Sequence, residues 1–280
     1  MKVINTAEIK EKVKEILSRI NFEFDEEYYG LLKEAYNSEL FPPGRQVLKD
    51  LIDNAEIAKK ERIPICQDTG MVNFYIEIGQ NVILEGANLK EVLNEAVKEA
   101  YRENYLRASV VKDPINRINT QDNTPAVFHF ELVEGENLTI YIVPKGGGSE
   151  QMCQLKMLAP HEGLDGIKRF VIDTVKAAGP NPCPPVTIGV GIGGNFDYVT
   201  FLAKKALLRP WGVRHPDLFY SNLEKELLKE INSLGVGPGG LGGRFYALDV
   251  RVEVYPTHIA QLPVAVAFNC SANRIAKIVF

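Results

Sequence analysis

Apolar residues recur with two different periods along this chain, and the change between them limits what it can build. In VLKDLIDNAEIAKK, Val47, Leu48, Leu51, Ile52 and Ala55 fall on one helical face, with Pro43 and Gly44 punctuating its start. In NLKEVLNEAVKEAYRENYLR, Leu89, Val92, Leu93, Ala96 and Val97 do the same. Residues 5–62 as a whole read as helices, and GLDGIKRFVIDTVKAAG and the stretches near 196–208 and 216–233 return to helical period. Period two appears in NFYIEIG and in two alternating runs, AVFHFELV and LTIYIVPK, joined by EGEN, which together signal a hairpin. PPVTIGVGIGG, FYALDVRVEVY, LPVAVAFNC and AKIVF read as further strands, and GVGPGGLGG as a flexible glycine loop. The expected fold is α+β in a single domain, 1–280. A helical N-terminal part (1–62) packs on a mostly antiparallel, β-rich C-terminal part, mixed α/β from residue 63 onward.

Composition excludes several functions. The net charge is −4, with no dense Lys/Arg run, so neither nucleic acid nor an anionic membrane is an expected partner. No apolar run approaches the roughly 18–20 residues of a membrane helix, and MKVINTAEIKEKVKEIL lacks the apolar core of a signal peptide. The cytosol is the expected location. Four cysteines among 280 residues are too few for a disulfide scaffold. In a reducing compartment they are core residues, metal ligands or nucleophiles.

Their settings differ. Cys66 precedes a polar triplet in ICQDTG, Cys183 lies between prolines in GPNPCPPVTIG, and Cys270 leaves a strand in AFNCSANR. None forms a C-x-x-C pair, so packing, metal binding and nucleophilic attack all remain open for these three. Cys153, in SEQMCQLKML among Met152, Leu155 and Met157, reads as a packing residue. Asp68 is either an acid or base raised by burial or a turn carboxylate, since Asp-Thr-Gly is good turn chemistry. PKGGGSEQ offers successive backbone N–H groups that suit a carboxylate or a cluster, or else a hairpin exit needing free φ; it lacks the ending of a P-loop. GVGIGG fails the dinucleotide spacing. His258 is structural or a partner to a nucleophile, and Arg107 is a solvated cation or a carboxylate clamp.

Taken together, ICQDTG, PKGGGSEQ, PCPPVTIGVGIGG, PTHIAQLPVAV and NCSANR resemble, in this order, the α subunit or N-terminal half of class I fumarate hydratases, a pattern shared with L-tartrate dehydratase α subunits. The resemblance runs from about Pro43 to Arg274. It implies a four-iron, four-sulfur cluster held by Cys66, Cys183 and Cys270 with one iron left open, and no ligand role for Cys153. It implies Asp68 as catalytic acid, His258 as a further catalytic residue, and Gln67, Arg107, Gly146, Gly147 and Gly148 as substrate contacts. The family-like reaction is reversible hydration of fumarate to L-malate, oxygen-sensitive because of the open iron; the tartrate reaction is the alternative. Asn195 departs from the Gly-Gly-Thr of the fused enzymes. The resemblance also implies a β subunit carrying the base and most of the substrate-holding cations, self-association of α chains, and a small dicarboxylate as substrate. A non-catalytic metal module, or a cysteine hydrolase built on Cys66 and His258, are the competing readings.

Overall fold

A computed structural model describes all residues, Met1–Phe280. In chain order the elements are β1 (Lys2–Asn5), α1 (Thr6–Phe22), α2 (Glu26–Ser38), α3 (Pro42–Glu61), β2 (Met71–Gly79), β3 (Val82–Glu85), α4 (Leu89–Glu103), β4 (Val127–Val133) and β5 (Leu138–Lys145). There follow α5 (Gly147–Gln151), β6 (Gln154–Leu158), α6 (Gly163–Ala178), β7 (Val186–Gly194), α7 (Tyr198–Ala206), α8 (Leu218–Ser233), β8 (Ala247–Thr257), β9 (Leu262–Asn269) and β10 (Ala276–Val279). The α+β class expected from the sequence is what forms. No helix is long and apolar enough to cross a membrane. The chain gathers into two compact units: Met1–Asp25, Asn54–Gly147 and Arg274–Phe280 make the first, Glu26–Asp53 and Gly148–Asn273 the second.

In the first unit a four-stranded sheet runs β10-β5-β2-β4, and β1 pairs with β3 in parallel beside it. α1 and α4 supply the apolar layer: Ile9, Val13, Leu17 and Ile20 join Leu93, Ala96, Val97 and Ala100, with Val72, Phe74 and Ile76 of β2, in one buried cluster. Both helices start on asparagine caps, Asn5 accepting from the Ala7 N–H and Asn88 from the Lys90 N–H. The expected hairpin does not form. β4 and β5 are both strands, but β2 lies between them: Ile76 stands opposite Phe130 in a parallel ladder and opposite Ile140 in an antiparallel one. The crossover through α4 returns the chain parallel to β2, and the EGEN link then steps over the end of β2. There the N–H groups of Gly79, Gln80 and Asn81 bond the carbonyls of Asn137, Val133 and Gly135. AKIVF finds its partner inside this sheet, Ala276–Val279 pairing with Thr139–Ile142.

The second unit holds the sheet β6-β9-β7-β8, with β7 and β8 parallel and β9 antiparallel to both of its neighbours. GVGIGG has a packing explanation. Ile188, Val190 and Ile192 point into the cluster made with α6 and α8, while Gly189 and Gly191 face α7. A Cβ on Gly191 would lie 2.3 Å from the Val199 carbonyl oxygen. The glycines let a helix lie directly on the strand. Gly191→Ala is therefore expected to cost about 1–3 kcal/mol, the usual scale of overpacking, seen as a lower urea midpoint at unchanged m-value.

GVGPGGLGG is held rather than free. The buried Glu39 carboxylate accepts the N–H groups of Phe41 and Arg244, and a Cβ on Gly243, whose φ is +115°, would meet that carboxylate at 2.7 Å. A buried ion network braces the far edge of the sheet. Glu224, wholly buried, accepts from Arg209, from the Val252 N–H and from the His215 N–H. Removing one member of such a buried network strands its partners, so Glu224→Ala is expected to lose about 3–5 kcal/mol of stability, readable by the same denaturation.

Candidate active site

In the first unit, the loop that carries Cys66, Gln67 and Asp68 is anchored through three successive carbonyls, those of Asp68, Thr69 and Gly70. The Asp68 carbonyl accepts from the buried Arg274 at 2.8 Å, and Arg274 in turn donates to Asn21 at 3.0 Å. The Thr69 carbonyl accepts the Tyr101 hydroxyl at 2.7 Å, and the Gly70 carbonyl accepts from Asn123 at 3.0 Å. Burial pushes the Tyr101 phenol well above its ordinary value, which keeps it an O–H donor. Gly70 sits at φ +78°, and a Cβ there would lie 2.7 Å from the Lys145 backbone, so only glycine fits.

Asp68 itself is half-buried, and each carboxylate oxygen takes one backbone N–H. Gly70 donates to Oδ1 at 3.1 Å, closing the turn that Asp-Thr-Gly announces, and Gly147 donates to Oδ2 at 2.8 Å. The glycine run therefore meets a carboxylate, and it is this protein's own. A Cβ on Gly146 would come within 3.0 Å of Asp68 Oδ2. The Thr69 hydroxyl donates to the Arg107 carbonyl at 2.9 Å, which brings the exposed Arg107 next to the same loop. Cys66 is half-buried and its thiol lies 3.4 Å from Gln67 Oε1; Gln67 is exposed.

In the second unit Cys183 and Cys270 are tied through one peptide. The Ser271 N–H donates to the Cys183 carbonyl at 3.0 Å, and the Ser271 carbonyl accepts the Tyr28 hydroxyl at 2.7 Å. Tyr28 is buried, which pushes its phenol well up and keeps it a donor. Cys183 is exposed at φ +55°, a turn conformation that bulky residues avoid. Cys270 is half-buried at the end of β9. Cys153 packs against the apolar clusters on both faces of the sheet, in agreement with its sequence reading. His258 is exposed in the turn from β8 to β9, where Nδ1 accepts the Ala260 N–H at 3.1 Å. Gly148 belongs to this unit, beside the Asn181 carbonyl. Asn195 plays a structural part, its Oδ1 accepting the Tyr198 N–H at the start of α7.

Thus the structure groups Cys66, Gln67, Asp68, Arg107, Gly146 and Gly147 in one unit and Cys183, Cys270, His258 and Gly148 in the other. No cysteine is in a disulfide, and no three His, Cys, Asp or Glu side chains gather as a single metal ion would require. Three accessible thiols at element ends are soft donors that suit iron–sulfur ligation more than a lone hard cation. Arg274, Tyr101, Asn123 and Tyr28 support these loops and were not assigned to them from sequence. Only Arg274 carried a signal, as the cation closing NCSANR.

The model of the fumarate hydratase (Fumerase) family matches residues 10–279. This chain belongs to that family. A Methanocaldococcus jannaschii protein provisionally named L(+)-tartrate dehydratase subunit alpha is 42% identical over 274 residues, 96% of each chain. The L(+)-tartrate dehydratase subunit alpha of Escherichia coli is 32% identical over 270 residues, 95% of this chain and 88% of its own. A Shigella sonnei protein of the same name matches to the same extent.

Proposed function

We propose that this fumarate hydratase family chain is the α subunit of an iron–sulfur hydro-lyase that adds water to, or removes it from, a four-carbon dicarboxylate. The observation that carries the reading is the placing of Cys66 and Asp68 two residues apart on one loop whose carbonyls at Asp68, Thr69 and Gly70 are held by buried Arg274, Tyr101 and Asn123. Such rigidity is what positioned proton transfer beside a metal centre needs. Cys66, Cys183 and Cys270 would hold the cluster. Bound through three thiolates, a four-iron cluster keeps one iron open as a Lewis acid that makes hydroxide a better leaving group.

The remaining work falls to side chains. Asp68 supplies or takes the proton of the departing or arriving water. Its two backbone donors aim the carboxylate and leave its remaining lone pairs for substrate. His258 accepts a backbone N–H at Nδ1, so in its neutral form Nε2 carries the proton and is the nitrogen offered to substrate. Arg107 pairs with a substrate carboxylate, and Gln67 with the glycine run of buried Gly146 and exposed Gly147 and Gly148 orients it. These groups include no clear base for the C3 proton and few cations for a dianion. The reading therefore includes a second, β subunit that supplies them, as "subunit alpha" in the relatives' names supports. It also includes self-association of α chains and a reducing, cytosolic setting.

Fumarate and L-malate are the first substrate pair. L-tartrate is the second reading, favoured by the names of relatives that span nearly the whole chain. The deciding experiment is anaerobic purification with the second subunit, iron and sulfide analysis, and turnover on malate, tartrate and methylated analogues. About four iron and four sulfide per α chain, with dehydration of one of these acids, is the expected result. Colourless, metal-free protein that is active and thiol-sensitive would establish the hydrolase reading instead. Exposure to air is expected to abolish turnover, with partial return on adding ferrous iron and reductant; activity stable for hours in air contradicts an open iron.

A further inference from the structure

β4 forms one edge of the first unit's sheet, with β2 as its sole neighbour. Exposed edges are normally blunted by lysine, proline, bulges or shortness, because an unpaired strand edge invites another chain. The β4 sequence VFHFELV has no lysine, proline or bulge of its own; its one carboxylate is Glu131, and Lys90 of α4 lies 5.3 Å over the Phe130 ring. Phe130, Leu132 and Val133 are 42%, 77% and 37% exposed. What covers such an edge is written in its symmetry. Reading outward from Phe130, the residues are His129 and Glu131, then Phe128 and Leu132, then Val127 and Val133.

We propose that β4 is the self-association surface of this protein, pairing antiparallel with β4 of a second copy about a two-fold axis at Phe130. In that register Phe130 faces its own copy, and His129 stands opposite Glu131 on both sides of the axis. Phe128 stands opposite Leu132, and Val127 opposite Val133. Strand alternation puts Phe128, Phe130 and Leu132 on one face and the His–Glu pairs on the other. Neighbouring registers lose this match. A two-fold between residues 130 and 131 would oppose side chains from different faces, which the antiparallel pleat does not allow. Centring on Glu131 sets Phe128 against Glu134, and centring on His129 sets Val127 against Glu131. The side chains are already ordered for the match: the rings of Phe128 and Phe130 stack at 6.2 Å, and His129 stacks on Tyr75 at 4.8 Å. An isologous pairing of this kind closes after two copies and turns two four-stranded sheets into one.

Self-association is part of the function proposed above; the surface is a separate claim, and the two fail separately. The test is sedimentation equilibrium on the full chain, with circular dichroism to confirm the fold of each variant. Wild type is expected to be dimeric. Phe130→Lys places two ammonium groups at the axis and is expected to give monomers. His129→Glu faces Glu131 with a like charge and is expected to raise the dimer dissociation constant at least about tenfold. Adding Glu131→His to it reverses the pair and is expected to restore dimerisation. A folded Phe130→Lys protein that stays dimeric overturns this surface while leaving self-association standing. A monomeric wild type whose β4 amides gain exchange protection only when the second subunit is added also overturns it, assigning the edge to that partner.

Discussion

Replacing Cys66, Cys183 or Cys270 by serine is expected to remove the visible iron–sulfur absorbance, each substitution alone being sufficient. A cluster bound by three thiolates has no spare ligand, and serine is a poor substitute for a soft donor. Cys153→Ser is the internal control. Its thiol lies against the apolar clusters of the second unit and 3.5 Å from the Ser149 carbonyl, so it should keep the chromophore and lose only packing. Absorbance and iron content of anaerobically reconstituted protein decide the matter. A chromophore lost with Cys153→Ser but kept with Cys183→Ser would reverse the ligand assignment.

Asp68→Asn is expected to lower turnover by about 10²-fold or more, the scale of general acid–base catalysis, while leaving the chromophore in place. Asparagine keeps one acceptor oxygen for the Gly70 or Gly147 N–H, so the loop can hold, but the ionisable oxygen is gone. The comparison must be made on clustered protein with both subunits present. Near-normal turnover with full iron content would leave Asp68 only its turn-forming role, for which the Gly70 bond already provides.

Much of this could be read from residue order. The period of Leu89, Val92, Leu93, Ala96 and Val97 gave α4 with its buried face intact. The apolar run before Gly193 gave β7, and the setting of Cys153 gave its packing role. Pairing was harder. Alternation in AVFHFELV and LTIYIVPK shows that both are strands but not that β2 inserts between them, because a crossover through a distant helix leaves no local trace. β1 and β3, four residues each, are too short for periodicity to register. The glycines of GVGPGGLGG announce unusual backbone, yet composition cannot distinguish a loop free to move from one clamped by Glu39, which bonds Arg244 across 205 residues of chain. At the candidate site, the motifs supplied the groups proposed to touch substrate. The groups behind them did not announce themselves, since Tyr101 and Asn123 act by being buried, and burial is a property of the assembled fold.

The path of the chain also has a consequence for biosynthesis. The first unit is built from three separated pieces, and β10 comes after all of the second unit in chain order. A ribosome that has just made residue 273 has synthesised every residue of the second unit. The β5 edge of the first sheet, meanwhile, still lacks the strand that pairs with Thr139–Ile142, and Asp68 still lacks Arg274. The late arrival of β10 and Arg274 therefore delays completion of the first sheet and of the loop that carries Cys66. During that interval an apolar strand edge stays open to chaperones or to the wrong neighbour.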